Sequence, residues 1–139
     1  MIDIENLPKI GERSAEDILE LLARPFKPEV IRSRRIGGKD VRYLPIAAVV
    51  ERLNRATNCW DFKIVSRDRE TMVLNRRPEP RDVMVSVVIG ELTIPEIGTR
   101  QAIGVQSLDD GSGEDLLKGA VSDSLKKCAQ LFGVQPPVD

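Results

Sequence analysis

The chain of 139 residues has no histidine and only two cysteines, Cys59 and Cys128, far apart and in no CxxC pair. A zinc quartet, a dithiol motif and any mechanism that needs an imidazole base are expected to be absent, while Asp, Glu and Lys chemistry stays open. Aromatic residues make up 4% of the chain, with Tyr43 and Trp60 the only rings that carry a polar handle, so rows of stacking rings are not available. No apolar run approaches the roughly 20 residues that span a bilayer. The opening MIDIENLPKIGE also lacks a basic leader followed by an apolar stretch, which predicts a soluble, unexported protein with no membrane contact. Neither GxxxxGK[ST] nor GxGxxG occurs, so Gly37-Gly38 and Gly111-Ser112-Gly113 read as turns rather than phosphate cradles.

Net charge is nearly absent too, at -1 from 21 basic and 22 acidic residues. Its distribution is uneven. Residues 24–55 hold nine basic and three acidic side chains, whereas residues 1–23 hold two and six, and residues 83–139 hold four and eight. A basic segment between acidic ends suits a phosphate-binding face, and equally suits a solvated, arginine-rich surface. With 41% hydrophobic and 31% charged residues, the composition predicts one globular domain over residues 1–139, with an N-terminal segment at 1–13 and a tail at 134–139.

Local patterns predict an α+β fold: an antiparallel sheet, a β-hairpin and packed helices. Ser14 with Asp17 three residues on opens a first helix that Pro25 stops. EVIRSRRI and DVRYL flank Gly37, Gly38 and Lys39, as in a hairpin, and alternation sends Arg32 and Arg34 to one face and Arg35 to the other. After Pro45, the positions Ile46, Val49, Val50 and Leu53 mark a second helix, with Arg52 and Arg55 among its polar positions. WDFKIV, TMVLN, VMVSVVIGELTI and TRQAIGVQSL give four strand candidates, separated by RDRE, RRPEPRD and PEIG as turns. A last helix from Ser112 or Glu114 carries a core stripe of Leu117, Ala120, Val121, Leu125, Cys128 and Phe132, and ends at Gly133.

The hairpin's Arg32, Arg34, Arg35, Lys39 and Arg42 are the leading candidates for function, because guanidinium groups grip phosphate oxygens bidentately. Arginines that keep an exposed edge from pairing would give the same pattern. Lys126 and Lys127 sit near the end of the last helix, where its dipole alone favours cations. Asp109, Asp110, Glu114 and Asp115 lack the alternating ligands and terminal glutamate of a calcium loop. Cys128 falls on the core stripe, and Cys59 has no basic pair that would activate it. No metal or cofactor is expected.

Two stretches, PEVIRSRRIGGKDVRYLPIAAVVERLNRATNCWDF and KGAVSDSLKKCAQLFGV, resemble the homologous-recombination single-strand annealing proteins, the family of the eukaryotic recombination mediator and its bacterial and phage relatives. Their order and spacing agree with that family as well. The resemblance implies a β-β-β-α annealing core assembled into rings or helical arcs, with DNA in an outer groove and no bond made or broken. It implies single-stranded DNA and further copies of the chain as partners, with single-strand-binding protein or recombinase as additional ones. Work on the chromosome would place such a protein in the nucleoid-associated cytoplasm of a bacterial or phage system, or in a eukaryotic nucleus. Carried over by position, the family's inner DNA contacts fall on Arg34, Lys126 and Lys127, with Tyr43 and Ser122 at a family aromatic and hydroxyl. Gln130 stands where a further basic residue is frequent. Arg81 matches a lysine of the outer DNA site, but the loop that supplies its partner is the acidic SLDDGSGED. The rival expectation is an oligomeric structural or protein-interaction module that has lost DNA binding.

Overall fold

The structure is a computed structural model that describes residue 9 and residues 11–75, 80–107 and 116–137. Helix α1 spans Ala15–Leu22; the side chain of Ser14 accepts a bond from Asp17 N at 3.2 Å, as the capping pattern predicts. A short 3-10 turn, Pro28–Val30, leads into β1 (Arg32–Ile36), β2 (Lys39–Tyr43) and helix α2 (Ile46–Ala56). Strands β3 (Asp61–Asn75), β4 (Pro80–Ile94) and β5 (Gly98–Ser107) follow, and helix α3 (Leu116–Leu131) ends the ordered elements. The α+β class with antiparallel sheets is as expected. The strands form two sheets, the hairpin β1-β2 and a three-stranded sheet in the order β3-β4-β5.

Three expectations need correction: Pro80, Arg81 and Asp82 of the expected linker RRPEPRD belong to strand β4. RDRE, residues 67–70, is not a turn but the middle of the continuous strand β3, so the four expected strands are three. Its polarity reflects exposure on an edge strand, and it has neither the Gly nor the Pro that would break pairing. Lys39 belongs to β2, which leaves a two-residue hairpin loop. The proposed start of the last helix at Ser112 or Glu114, and the acidic cluster Asp109, Asp110, Glu114 and Asp115, lie outside the described residues.

The chain divides into two compact units. The first comprises Met1–Asp61, Thr93–Thr99 and Ala129–Asp139, and its buried residues include Ile18, Leu21 and Leu22 of α1 with Val49, Leu53 and Ala56 of α2. These are the i, i+3, i+4 and i, i+4, i+7 positions of two amphipathic helices, which pack together. Arginines cap both helices from outside. Arg52 of α2 donates to the carbonyls of Leu21, Leu22 and Arg24 at 3.2, 3.3 and 2.6 Å, satisfying the C-terminal end of α1. Arg13, just before α1, donates to the carbonyls of Arg55 and Ala56 at the end of α2.

The second unit comprises Phe62–Leu92 and Arg100–Cys128. Here α3 lies against the sheet along a stripe of small residues, Ala120, Ser124 and Cys128, all fully buried. Gly90 and Gly104 make the close approach possible. A Cβ on Gly104 would fall 2.1 Å from the Ala120 carbonyl and 2.3 Å from Ser124 N, and one on Gly90 would fall 2.3 Å from Ser124 Oγ. Ser124 Oγ donates to the Ala102 carbonyl at 2.9 Å, so the buried hydroxyl is satisfied by the strand it rests on.

Candidate nucleic-acid interface

The hairpin is built by its loop. Gly37 and Gly38 have φ of +58° and +79°, the paired left-handed conformation of a type I′ turn, whose twist matches that of the strands it joins. The register pairs Arg32 with Tyr43, Arg34 with Val41, and Ile36 with Lys39. Directly opposed residues share a face, and successive residues alternate. Arg32, Arg34, Lys39 and Tyr43 therefore lie on one face of the ribbon, and Arg35 and Arg42 lie on the other with Ser33 and Asp40. The five basic residues that the sequence groups together are thus divided by the pleat. Arg34 stands over the Tyr43 ring, 5.3 Å from its centroid, a cation–π contact that holds the guanidinium upright while it stays exposed. On the opposite face Arg35 is paired across the strands with Asp40 and donates to the Gly38 carbonyl at 3.3 Å. Its charge is partly answered within the hairpin.

The helix residues lie in the second unit. Ser122 and Lys126, one turn apart, form a stripe with Lys118 and with Gln130, which is exposed. Lys127 is on the neighbouring stripe, because adjacent residues of a helix point about 100° apart. It is paired to Asp123 at 2.9 Å, and the same carboxylate accepts Val105 N at 2.9 Å from edge strand β5. Lys126 is half-buried and also has a partner. The two lysines accordingly have unlike surroundings. Arg81 falls near the start of β4, but its side chain and the loop at 108–115 lie outside the described residues.

Three groups of residues escaped the sequence reading. Arg52 falls among the polar positions of α2 by periodicity, yet it is half-buried, capping α1 and lying 4.0 Å from the centroid of the Phe26 ring. Burial, followed by the charges of Arg24 and Arg55, holds its pKa below the ordinary arginine value. Arg24 itself has two buried nitrogens with no hydrogen-bond partner among the described residues. Arg67 and Arg69 of β3, with Asp68, Ser86 and Leu117, line an open cavity of about 480 Å³. For Arg67 and Arg69 the signal was the unbroken run without Gly or Pro from residue 61 to 75. The contacts of Arg24 and Arg52 are long-range and leave no local pattern.

Cys128 is buried with its thiol 3.6 Å from the carbonyls of Gly90 and Arg100, and Cys59 is exposed. Burial raises the Cys128 pKa, the opposite of what a nucleophile needs. No group of metal-ligating side chains occurs among the described residues, and no helix among them is long and apolar enough to cross a membrane. Comparison with protein families matches residues 14–135 to the family described as Rad52/22 family double-strand break repair protein. Comparison with curated proteins yields no match.

Proposed function

The chain belongs to the Rad52/22 family of double-strand break repair proteins, a family of recombinational DNA repair, and from that premise we propose that it binds single-stranded DNA and anneals complementary strands without catalysing a bond change. The observation that carries this proposal is the hairpin face on which Arg32, Arg34 and Lys39 stand together beside Tyr43. Three cations on one pleated face, with side chains two residues apart spaced by about 6.7 Å, form a short track for phosphates. Phosphate contacts carry no base information, so binding is independent of sequence and leaves the base edges free to pair.

One monomer offers only a short track, and its net charge is -1. Side-by-side copies in a ring or helical arc would repeat the hairpin face from one copy to the next, lengthening the track. Exposed apolar side chains on the three-stranded sheet support such assembly. Val73 of β3 is 61% exposed and Ile103 of β5 is 55% exposed, and among the described residues neither β3 nor β5 pairs with a further strand.

Fluorescence anisotropy with a single-stranded oligonucleotide, titrated with salt, tests the proposal. Each lost phosphate contact should reduce the log–log salt slope by about 0.7. Arg34→Ala is expected to lower the slope by about that amount. Arg35→Ala, on the opposite face with Asp40 across from it, should change it much less. Lys127→Ala should change the slope less than Arg34→Ala, because Lys127 must leave Asp123 before it can meet a phosphate. Absence of saturable binding at low salt would point instead to a protein-interaction module, and equal slopes in Arg34→Ala and wild type would remove the hairpin face from the interface.

A further inference from the structure

Strand β3 is an edge strand of its sheet, and residues 63–71 on it are exposed throughout. The open cavity of about 480 Å³ at its middle is lined by Arg67, Asp68 and Arg69 of β3, Ser86 of β4 and Leu117 of α3, all within the second unit. That volume lies within the ~300–1,000 Å³ of clefts that admit small ligands. The strands are irregular here. The buried side chains of β4 are Val83 and Val85, then Ser86, Val88, Leu92 and Ile94, so the alternation of faces slips by one residue between Val85 and Ser86, as it does at a β-bulge. Bulges re-aim side chains, and Ser86, 2% exposed, is placed in the cavity wall. On β3, Asp68 turns its carboxylate onto its own strand, Oδ1 accepting Arg69 N at 2.9 Å.

The lining carries two guanidiniums and one carboxylate, which leaves one net positive charge. Asp68 does not cancel either cation directly: among the described residues neither Arg67 nor Arg69 has an ion pair. A group with one negative charge and more than one acceptor oxygen answers such a lining, and guanidiniums bind it through paired donors. A phosphodiester has that charge, whereas a phosphate monoester brings about -1.5 to -2. Charges of one sign in a concave wall beside an apolar side chain also act over a longer reach than on open surface. We infer that this cavity is a further docking point for the nucleic-acid backbone, taking a phosphodiester group on Arg67 and Arg69, an inference that rests on the reading of the chain as a DNA-binding protein. Asp68 sets the strength of the contact by offsetting part of the positive charge.

Salt-titrated fluorescence anisotropy with a single-stranded oligonucleotide compares wild type with Arg67→Gln/Arg69→Gln. The control is Lys9→Gln/Lys27→Gln, which removes two exposed charges from the first unit. Loss of the cavity contact should reduce the log–log salt slope by about 0.7 or more and weaken binding several-fold at low salt, while the control changes the slope by less than half as much. Asp68→Asn keeps the acceptor for Arg69 N and removes the opposing charge. It should bind several-fold tighter, and the gain should vanish when Arg67 and Arg69 are replaced as well. These side chains are exposed, so Tm should stay at the wild-type value; should the double variant unfold, Arg67→Gln and Arg69→Gln singly make the same comparison. A slope lowered by Arg34→Ala but not by the cavity variant overturns this inference and leaves the hairpin reading standing, and the converse result supports the cavity and removes the hairpin. Equal losses in the cavity variant and the lysine control would reduce the effect to overall charge and overturn the inference. No saturable binding by the wild type overturns both readings.

Discussion

Replacing Gly104 with alanine tests the seat of the helix that carries Ser122, Lys126 and Lys127. The new Cβ would lie 2.1 Å from the Ala120 carbonyl oxygen and 2.3 Å from Ser124 N, far inside van der Waals contact. Both obstacles are backbone atoms, so no rotamer change relieves them. The helix must lift by about 1 Å, a displacement that forfeits a quarter to a half of the dispersion energy at each contact. Overpacking of this kind costs about 1–3 kcal/mol. Weakening the bond from Ser124 Oγ to the Ala102 carbonyl, 2.9 Å in the wild type, adds about 1 kcal/mol. Reduced freedom of the unfolded chain returns about 0.4–1 kcal/mol. The net expectation is a loss of about 2–3 kcal/mol, or roughly 6–15 °C in Tm for a domain of this size. Gly119→Ala is the control. There the new Cβ meets the end of a flexible side chain, Gln106 Oε1 at 2.5 Å, and alanine is the better helix former by about 1 kcal/mol, so stability should hold or rise. Urea denaturation of the two variants beside wild type reads both values. A Gly104→Ala midpoint within about 0.5 kcal/mol of wild type, the range of ordinary surface changes, would refute the close seating of α3.

Arg52→Met keeps most of the apolar stem but leaves the carbonyls of Leu21, Leu22 and Arg24 without their donor. A loss of about 2 kcal/mol is expected in urea melts, and an unchanged midpoint would mean that the end of α1 is satisfied otherwise. At neutral pH Cys59 should react with a disulfide reagent at once and Cys128 only on unfolding, since one is exposed and the other buried; two equally fast thiols would contradict the packing. Burial raises the folded-state pKa of Cys128 above its unfolded value. Its contribution is therefore complete below the unfolded thiol's pKa, about 8.5, and is lost as pH rises through the higher folded value. Urea midpoints measured from neutral pH into that alkaline range should fall more steeply for wild type than for Cys128→Ala, and parallel profiles would show that the thiol is not desolvated.

Much of this protein is local and can be read along the chain. The cap at Ser14, the turn at Gly37-Gly38, the apolar periods of α1, α2 and α3, and the alternation that separates Arg34 from Arg35 depend on residues within a few positions of one another. Tertiary structure decided what depends on partners distant in sequence. Asp123 holds Lys127 against the edge of β5, which makes two adjacent lysines unequal. Arg52 leaves the polar face of its own helix to close the end of another one some 30 residues earlier. Gly90 and Gly104 have ordinary strand surroundings in the sequence, and only packing explains why neither has a side chain: Ala120 and Ser124 of α3 press against Gly104, and Ser124 together with the Phe62 ring presses against Gly90. Charge and periodicity can be counted along one dimension, but the price of burying a polar group is set by whichever atoms three-dimensional packing brings beside it. Arg24 shows the difference most sharply: in the sequence it is one of nine basic residues in a short segment, and in the fold two of its guanidinium nitrogens are buried without a hydrogen-bond partner among the described residues.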